Sequence, residues 1–334
     1  MKAQILRFSA RTNTTPKVVF VVRDNVSNQY FLDLISKVDV VKKTLFSYIY
    51  FRLRRFLRIY NRELWQFIQN KGIDILTVWH DNPPHFLPDK KNISFVQSFL
   101  ESKVEIKKGL IALVVRDAGY DYKVCANGDT LPIRQLYRNT PIDYLVDSIR
   151  FFTSQGFAVV RLGRHSIANI TVPIPNYYDY SIDFTNHDDR FDVVVPHLSD
   201  FMFTSGSGVD ELASFFRTPV YRFNLAPVGT TPMSRLTKLV MPQDYVSLDT
   251  GKKVPLPYLL REPLHSSHPM KVFSEKNIAL AVKSNAELLA FSQLSLADFQ
   301  STKTYKGEDR TGATEDLHAL LKRYSLTRSG VFIY

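Results

Sequence analysis

Two hydrophobic rhythms alternate along this chain. Short apolar, β-branched runs stand at residues 17–22, 38–41, 73–78, 110–115, 157–162, 201–204 and 219–223. Their length and lack of polar alternation predict strands buried on both faces. Between them the apolar positions recur at helical spacing. The longest such stripe joins Phe46, Ile49, Tyr50, Leu53, Phe56, Leu57, Tyr60, Leu64 and Phe67 and predicts a helix over 46–70, closed by Gly72. Further helices are predicted over 30–35, 95–105, 189–198, 209–216 and 275–291. Another follows Thr140 as cap and Pro141 as first residue, and stops before Gly156. A short extended segment is predicted at 177–180, a loop at 81–84, and a long irregular connection at 116–139.

The strand–helix rhythm predicts an α/β protein whose C-terminal part is a parallel sheet with helices on both faces. Four segments are expected: a polar leader at 1–16, an N-terminal domain at 17–109, a C-terminal domain at 110–299, and a polar tail with a terminal helix at 300–334. With 334 residues, 45 % hydrophobic and 22 % charged, the chain is not disordered, collagen-like or a disulfide-stapled miniprotein. Cys125 is its only cysteine, which excludes an internal disulfide and a cysteine-held zinc. A reducing cytoplasm is the expected compartment. No apolar run approaches the ~20 residues of a membrane-spanning helix, and residues 1–7 lack a signal-peptide core.

Charge changes this picture. The net charge is +11, but residues 1–110 carry 19 Lys+Arg against 9 Asp+Glu, and residues 111–334 carry 24 against 23. Within the basic third, residues 41–62 hold Lys42, Lys43, Arg52, Arg54, Arg55, Arg58 and Arg62 and no acid. An apolar stripe beside such charges fits an interfacial helix on anionic lipid. It equally fits a helix packed into its domain with solvated arginines. A nucleic-acid partner is not expected, because no DNA- or RNA-binding motif accompanies the charge.

Ligands of open parallel sheets bind beyond the carboxyl ends of the strands. Three segments arrive there: residues 115–120, with Arg116 and Asp117; residues 161–165, with Arg161, Gly163, Arg164 and His165; and residues 204–211. The last contains Ser205-Gly206-Ser207-Gly208 between a strand and a helix, a turn whose small residues let backbone N–H groups approach a diphosphate. It also fits a plain tight turn with serine caps. Neither a Walker loop nor a dinucleotide fingerprint is present. Arg116 ends an apolar strand and needs an anionic partner, either a neighbouring acid such as Asp117 or a phosphate. Tyr137-Arg138-Asn139 is placed over the same crevice or in a surface loop. Acid–base candidates are Asp117, Asp179, Asp183, His165 and His187, while Asp188-Asp189 reads as a helix cap. No Asp-x-Asp occurs, so no metal is expected to be required.

The ordered set Val114-Val115-Arg116-Asp117-Ala118-Gly119-Tyr120, Tyr137-Arg138-Asn139, Val159-Val160-Arg161-Leu162-Gly163, Asp179-Tyr180, Ser205-Gly206-Ser207-Gly208, Phe223-Asn224-Leu225-Ala226-Pro227 and Met241-Pro242 resembles a family of bacterial glycosyltransferases of surface-polysaccharide (O-antigen and capsule) biosynthesis. The likeness covers about residues 110–290. It implies a GT-B-like pair of Rossmann-like domains, the first on the acceptor side and the second binding a nucleotide-sugar without a metal or other cofactor. Arg116 and the Gly206–Gly208 turn, with Ser205 and Ser207, would hold the donor diphosphate. Arg138 and Arg161 would assist, and Tyr137, Gly163 and Asn224 would line the pocket. Asp210 and Glu211 would meet a ribose or serve only as first-turn acids. Asp117 is the candidate base, or a salt-bridge partner. The implied acceptor is a glycan or lipid-linked glycan, at the inner face of the cytoplasmic membrane. A non-catalytic nucleotide- or sugar-binding protein of the same build is the first alternative, and a nucleic-acid-binding protein using the basic helix ranks behind it.

Overall fold

The computed structural model describes residues 20–22, 30, 40–42, 87–119, 133–164, 166–182, 187–227, 237–255, 258 and 269–301. The chain divides into two compact units, one up to Asp89 and one from Lys90 onward. In the first unit, β1 (Phe20–Val22) pairs in parallel with β2 (Val40–Lys42), in the register Phe20↔Val40 to Val22↔Lys42. A parallel pair requires a crossover connection, and Tyr30, between the two strands, is helical. The polar leader at 1–16, the helix expected over 46–70, the strand over 73–78 and, from residue 302 onward, the tail expected at 300–334 lie outside the described residues. So do Lys43, Arg52, Arg54, Arg55, Arg58 and Arg62.

The second unit opens with α1 (Lys90–Glu101), which starts and ends earlier than the 95–105 expected. It belongs to this unit because its aromatic face packs on α3 (Asp189–Leu198): Phe99 meets Phe191 edge to face at 4.9 Å. The Arg190 guanidinium lies 3.9 Å from the centre of the Phe95 ring. The unit therefore begins with this helix, at Lys90, and not at residue 110.

Six parallel strands follow: β3 (Gly109–Val114), β4 (Phe157–Leu162), β5 (Tyr177–Asp179), β6 (Phe201–Thr204), β7 (Val220–Leu225) and β8 (Thr237–Pro242). Their order across the sheet is β5-β4-β3-β6-β7-β8. This is a Rossmann-like doubly wound sheet. The chain runs outward from β3 to β5, returns, and runs outward the other way from β6 to β8. The switch point therefore falls between the carboxyl ends of β3 and β6.

Helices cover both faces. One face presents Ile111, Leu113, Phe157, Val159, Phe201, Phe203, Tyr221 and Phe223 to α2 (Val146–Ser154) and α6 (Asn285–Ser301), whose Ile149, Phe152, Leu288 and Phe291 join the same core. On the other, Thr204 and Arg222 face α4 (Val209–Phe215), which packs on α3. Asp188 caps α3 as its sequence position implied, its carboxylate accepting the Arg190 N–H at 2.9 Å.

Two expectations fail. Thr140 caps no helix: the chain enters a 3-10 turn at Ile142–Leu145 with no side-chain cap bond, and Thr140 instead accepts a hydrogen bond from Asn224. The single helix expected over 275–291 is three elements: α5 (Pro269–Glu275), β10 (Ile278–Ala281) and α6. Asn277 adopts φ +50°, which breaks the helix, and β10 pairs antiparallel with β9 (Asp244–Ser247). The next helix is restarted by a capping box at Ser284 and Glu287. The Ser284 N–H and hydroxyl both donate to the Glu287 carboxylate, and the Glu287 N–H donates back to Ser284 Oγ.

Candidate functional site

β6 delivers the 205–208 turn to the switch point. The strand pairing extends one residue past its end, since the Ser205 N–H donates to the Val114 carbonyl at 2.9 Å. Ser205 Oγ returns the link by accepting the Arg116 N–H at 2.8 Å. Gly206 turns the chain with φ +93°, a conformation a side chain resists. The Gly206 N–H donates to Thr204 Oγ1 at 3.0 Å, the Ser207 N–H to Asp210 Oδ2 at 3.1 Å, and the Val209 N–H to Ser207 Oγ at 3.1 Å. Four backbone donors that would cradle a phosphate are thus engaged within the chain. Gly208 is exposed, with open space where a Cβ would stand.

The turn instead presents a carbonyl. Gly206 O accepts a hydrogen bond from Arg138 Nη2 at 3.1 Å. That is the one hydrogen bond of the half-buried Arg138 among the described residues. Arg138 lies at the end of the 3-10 segment Ile133–Arg138, and its backbone neighbourhood is tied to β3 by the Thr140 N–H bonding the Arg116 carbonyl at 3.0 Å. Burial, then the charge of Arg116, then that of Arg222 lower the pKa of Arg138, while Tyr137 and Asp210 oppose this. These groups form one electrostatic cluster. Tyr137 fixes its rim: its carbonyl accepts from Gln243 Nε2 at 2.8 Å, and its ring meets Phe273 edge to face at 6.1 Å. Burial raises the Tyr137 pKa, against the pull of Arg138 and Arg116.

Asp210 lies beneath the turn and is wholly buried. Its carboxylate accepts from Thr204 Oγ1 at 2.7 Å and from the Ser207 N–H, and burial raises its pKa. Arg222 backs it, with Nε 3.9 Å from Asp210 Oδ2 and Nη2 3.4 Å from Glu211 Oε1. Asp210 is thus withdrawn from the surface that a ribose would touch.

Arg161, Asp117 and Gly163 form an adjoining cluster. Arg161 has no exposed surface. Its Nη1 donates to Asp179 Oδ2 at 2.9 Å and to the Ala168 carbonyl at 2.7 Å, and its Nη2 donates to Ser166 Oγ at 3.2 Å and Asp117 Oδ2 at 3.4 Å. Asp117 also accepts the Ile167 N–H at 3.1 Å and the Gly119 N–H at 2.9 Å. Asp179 accepts in addition from the Tyr177 hydroxyl and from Ser181. Asp117 is therefore the ion-pair partner of Arg161, and Arg161 is enclosed by carboxylates. Gly163, at φ +138°, opens the loop that they hold. Arg164 pairs with Asp189, and His187 Nε2 lies 3.3 Å from Asp192 Oδ2. Asn224 is fully buried at φ +49°, with its amide donating to Thr140 Oγ1 and its oxygen accepting the Lys283 N–H at 2.8 Å. His165 and Asp183 lie outside the described residues.

No protein-family model, curated protein or solved structure matches the chain. The site therefore stands on its own geometry. The structure brings Arg116, Tyr137, Arg138, Asp210 and the 205–208 turn together, and places Arg161, Asp117 and Asn224 in separate structural contacts. Among the described residues, no group of three or more His, Cys, Asp or Glu side chains could hold a metal ion. No described helix is long and apolar enough to cross a membrane. Sequence reasoning missed Arg222 and Thr204. The signal for Arg222 was present: a lone charge inside the apolar run Val220-Tyr221-Arg222-Phe223, in a strand covered on both faces, must meet a buried acid.

Proposed function

We propose that the second unit binds the diphosphate of a nucleotide-sugar between Arg116 and Arg138. The chain then acts as a metal-independent, GT-B-like glycosyltransferase that passes the sugar to a hydroxyl of a surface-glycan acceptor. One observation carries the reading: the Arg116 backbone and the Arg138 guanidinium both bond to the Ser205-Gly206 turn, and their two charges are near enough to act on each other, at the switch point of a doubly wound sheet, where ligands of such sheets bind. Arginine suits this role because its planar fork binds phosphate oxygens in pairs and keeps its charge. The acceptor oxygen would bond to the anomeric carbon as the carbon–oxygen bond to the diphosphate breaks. Negative charge then develops on the leaving group, where fixed guanidinium groups stabilise it most. The acceptor proton passes to a base outside the clusters described. The motif resemblance supplies the acceptor class and the place of work, a glycan or lipid-linked glycan at the inner face of the cytoplasmic membrane. There the basic residues 42–62 would meet anionic lipid.

Thermal unfolding with ADP, GDP, UDP and CDP tests the binding step. One of them at about a hundredfold its dissociation constant is expected to raise the melting temperature by on the order of 5 °C. Arg116→Ala and Arg138→Ala remove that rise. No response to any of the four overturns the reading. The second reading, a binding protein without turnover, is favoured by one fact: Asp117, Asp179 and Asp210 are all engaged as acceptors and so unsuited as bases. Release of nucleoside diphosphate from a bound nucleotide-sugar, faster with a glycan acceptor than without, separates the two.

A further inference from the structure

Arg138 sits in an unfavourable field. Arg116 and Arg222 both press against its charge, though Asp210 and Tyr137 favour it, and a free arginine side chain has many rotamers to lose. Left alone it would swing into solvent. Among the described residues, the hydrogen bond that anchors its side chain is to the carbonyl of Gly206. The direction of that carbonyl depends on a turn held at φ +93°, and the turn depends on one carboxylate. Asp210 receives the Thr204 hydroxyl and the Ser207 N–H, while Thr204 Oγ1 receives the Gly206 N–H. Residues 204, 206 and 207 are thereby tied to a single buried group, which Arg222 backs from the side of β7.

We propose, on the reading that Arg116 and Arg138 bind a diphosphate, that Asp210 is the positioning residue of that site. Through Thr204 and Ser207 it aims the Gly206 carbonyl and so sets Arg138 in place before the anion arrives. Asp210 touches no ligand. Its negative charge opposes anion binding by simple Coulomb repulsion, so charge and positioning predict effects of opposite sign. Preorganisation of a flexible cation raises affinity by removing the cost of ordering it on binding.

Titration calorimetry of the full chain with inorganic pyrophosphate distinguishes them. Asp210→Asn is expected to weaken binding about tenfold, and Thr204→Val, which changes no charge, about fivefold, as lost hydrogen bonds would. Thr204→Ser restores the hydroxyl and should bind within about twofold of wild type. Circular dichroism confirms that each variant is folded; if Asp210→Asn is not, Thr204→Val against Thr204→Ser decides. Binding by Asp210→Asn as tight as wild type or tighter, or by Thr204→Val equal to wild type, overturns the positioning role while the site stands. No binding by wild type, or Arg116→Ala and Arg138→Ala binding normally, overturns the site itself and this role with it.

Discussion

At the scale of the residue, three arginines look alike in sequence and differ in structure. Arg116, Arg161 and Arg222 each interrupt or end an apolar strand. Arg161 and Arg222 are buried and Arg116 is half-buried, so each needs an anion, and local pattern says nothing of which one. Asp117 follows Arg116 in the chain, yet its carboxylate turns to Arg161, 44 positions away. Both residues lie past the end of β3, in a loop where Asp117 is fixed by accepting the Gly119 and Ile167 N–H groups, so adjacency in the chain does not pair them. If Asp117 serves the ion pair, Asp117→Ala leaves a buried guanidinium short of one carboxylate and costs about 3 kcal/mol. Urea unfolding reads this directly; a variant as stable as wild type but without turnover would instead mark Asp117 as a base. Gly206 offers a second test. Among the described residues a Cβ there meets only Arg138 Nη2, at 3.5 Å, so the obstacle to a side chain is φ +93°. Gly206→Ala is expected to cost about 1 kcal/mol in the same measurement.

At the scale of the element, the parallel strands were legible because they are short, apolar and bounded by breakers. Phe157–Leu162, Phe201–Thr204 and the helix Asp189–Leu198 fall where the pattern places them. The region after residue 236 was not read well. An apolar spacing that continues across Ile278 and Leu280 fits both a helix and a short edge strand, and periodicity alone does not decide between them. The deciding signal was the Ser284-Asn285-Ala286-Glu287 box, which starts a helix and therefore forbids one running through it. Its contribution is measurable. Ser284→Ala should lower stability by about 1 kcal/mol, the usual cost of a lost N-cap. The Ser284 N–H, then its hydroxyl, hold the Glu287 pKa down to about 2 from an ordinary 4.5. A depressed carboxylate stabilises the fold above its unfolded pKa and ceases to do so as pH falls through the folded one. Wild type should therefore exceed Glu287→Gln in melting temperature at neutral pH. The gap should close as pH drops from 4.5 towards 2; a gap that widens on acidification refutes the assignment.

At the scale of the whole molecule, the alternation of strands and helices implied a parallel sheet but not its order. That β3 lies between β4 and β6, and so creates a crevice at Arg116, is a long-range pairing that no local pattern encodes. The charge distribution was fully legible: the excess of positive residues lies before residue 111, while the arginines of the candidate site belong to a nearly neutral remainder. On the proposed function the two kinds of positive charge do different work and should be separable. Exposed charges acting on a membrane surface are screened within a Debye length of about 8 Å at physiological salt, whereas a buried or half-buried guanidinium bonded to a diphosphate is screened far less. Replacing Lys42, Lys43, Arg52, Arg54, Arg55, Arg58 and Arg62 by glutamine is expected to abolish co-flotation with phosphatidylserine vesicles, at about 1 kcal/mol per removed charge, and to leave pyrophosphate affinity within about twofold. Arg138→Ala should do the reverse. Raising the salt should release wild type from the vesicles before it releases pyrophosphate. Flotation that survives the seven substitutions would assign the basic segment to solvent, and a parallel loss of pyrophosphate binding would mean that the two sets of charge serve one anion.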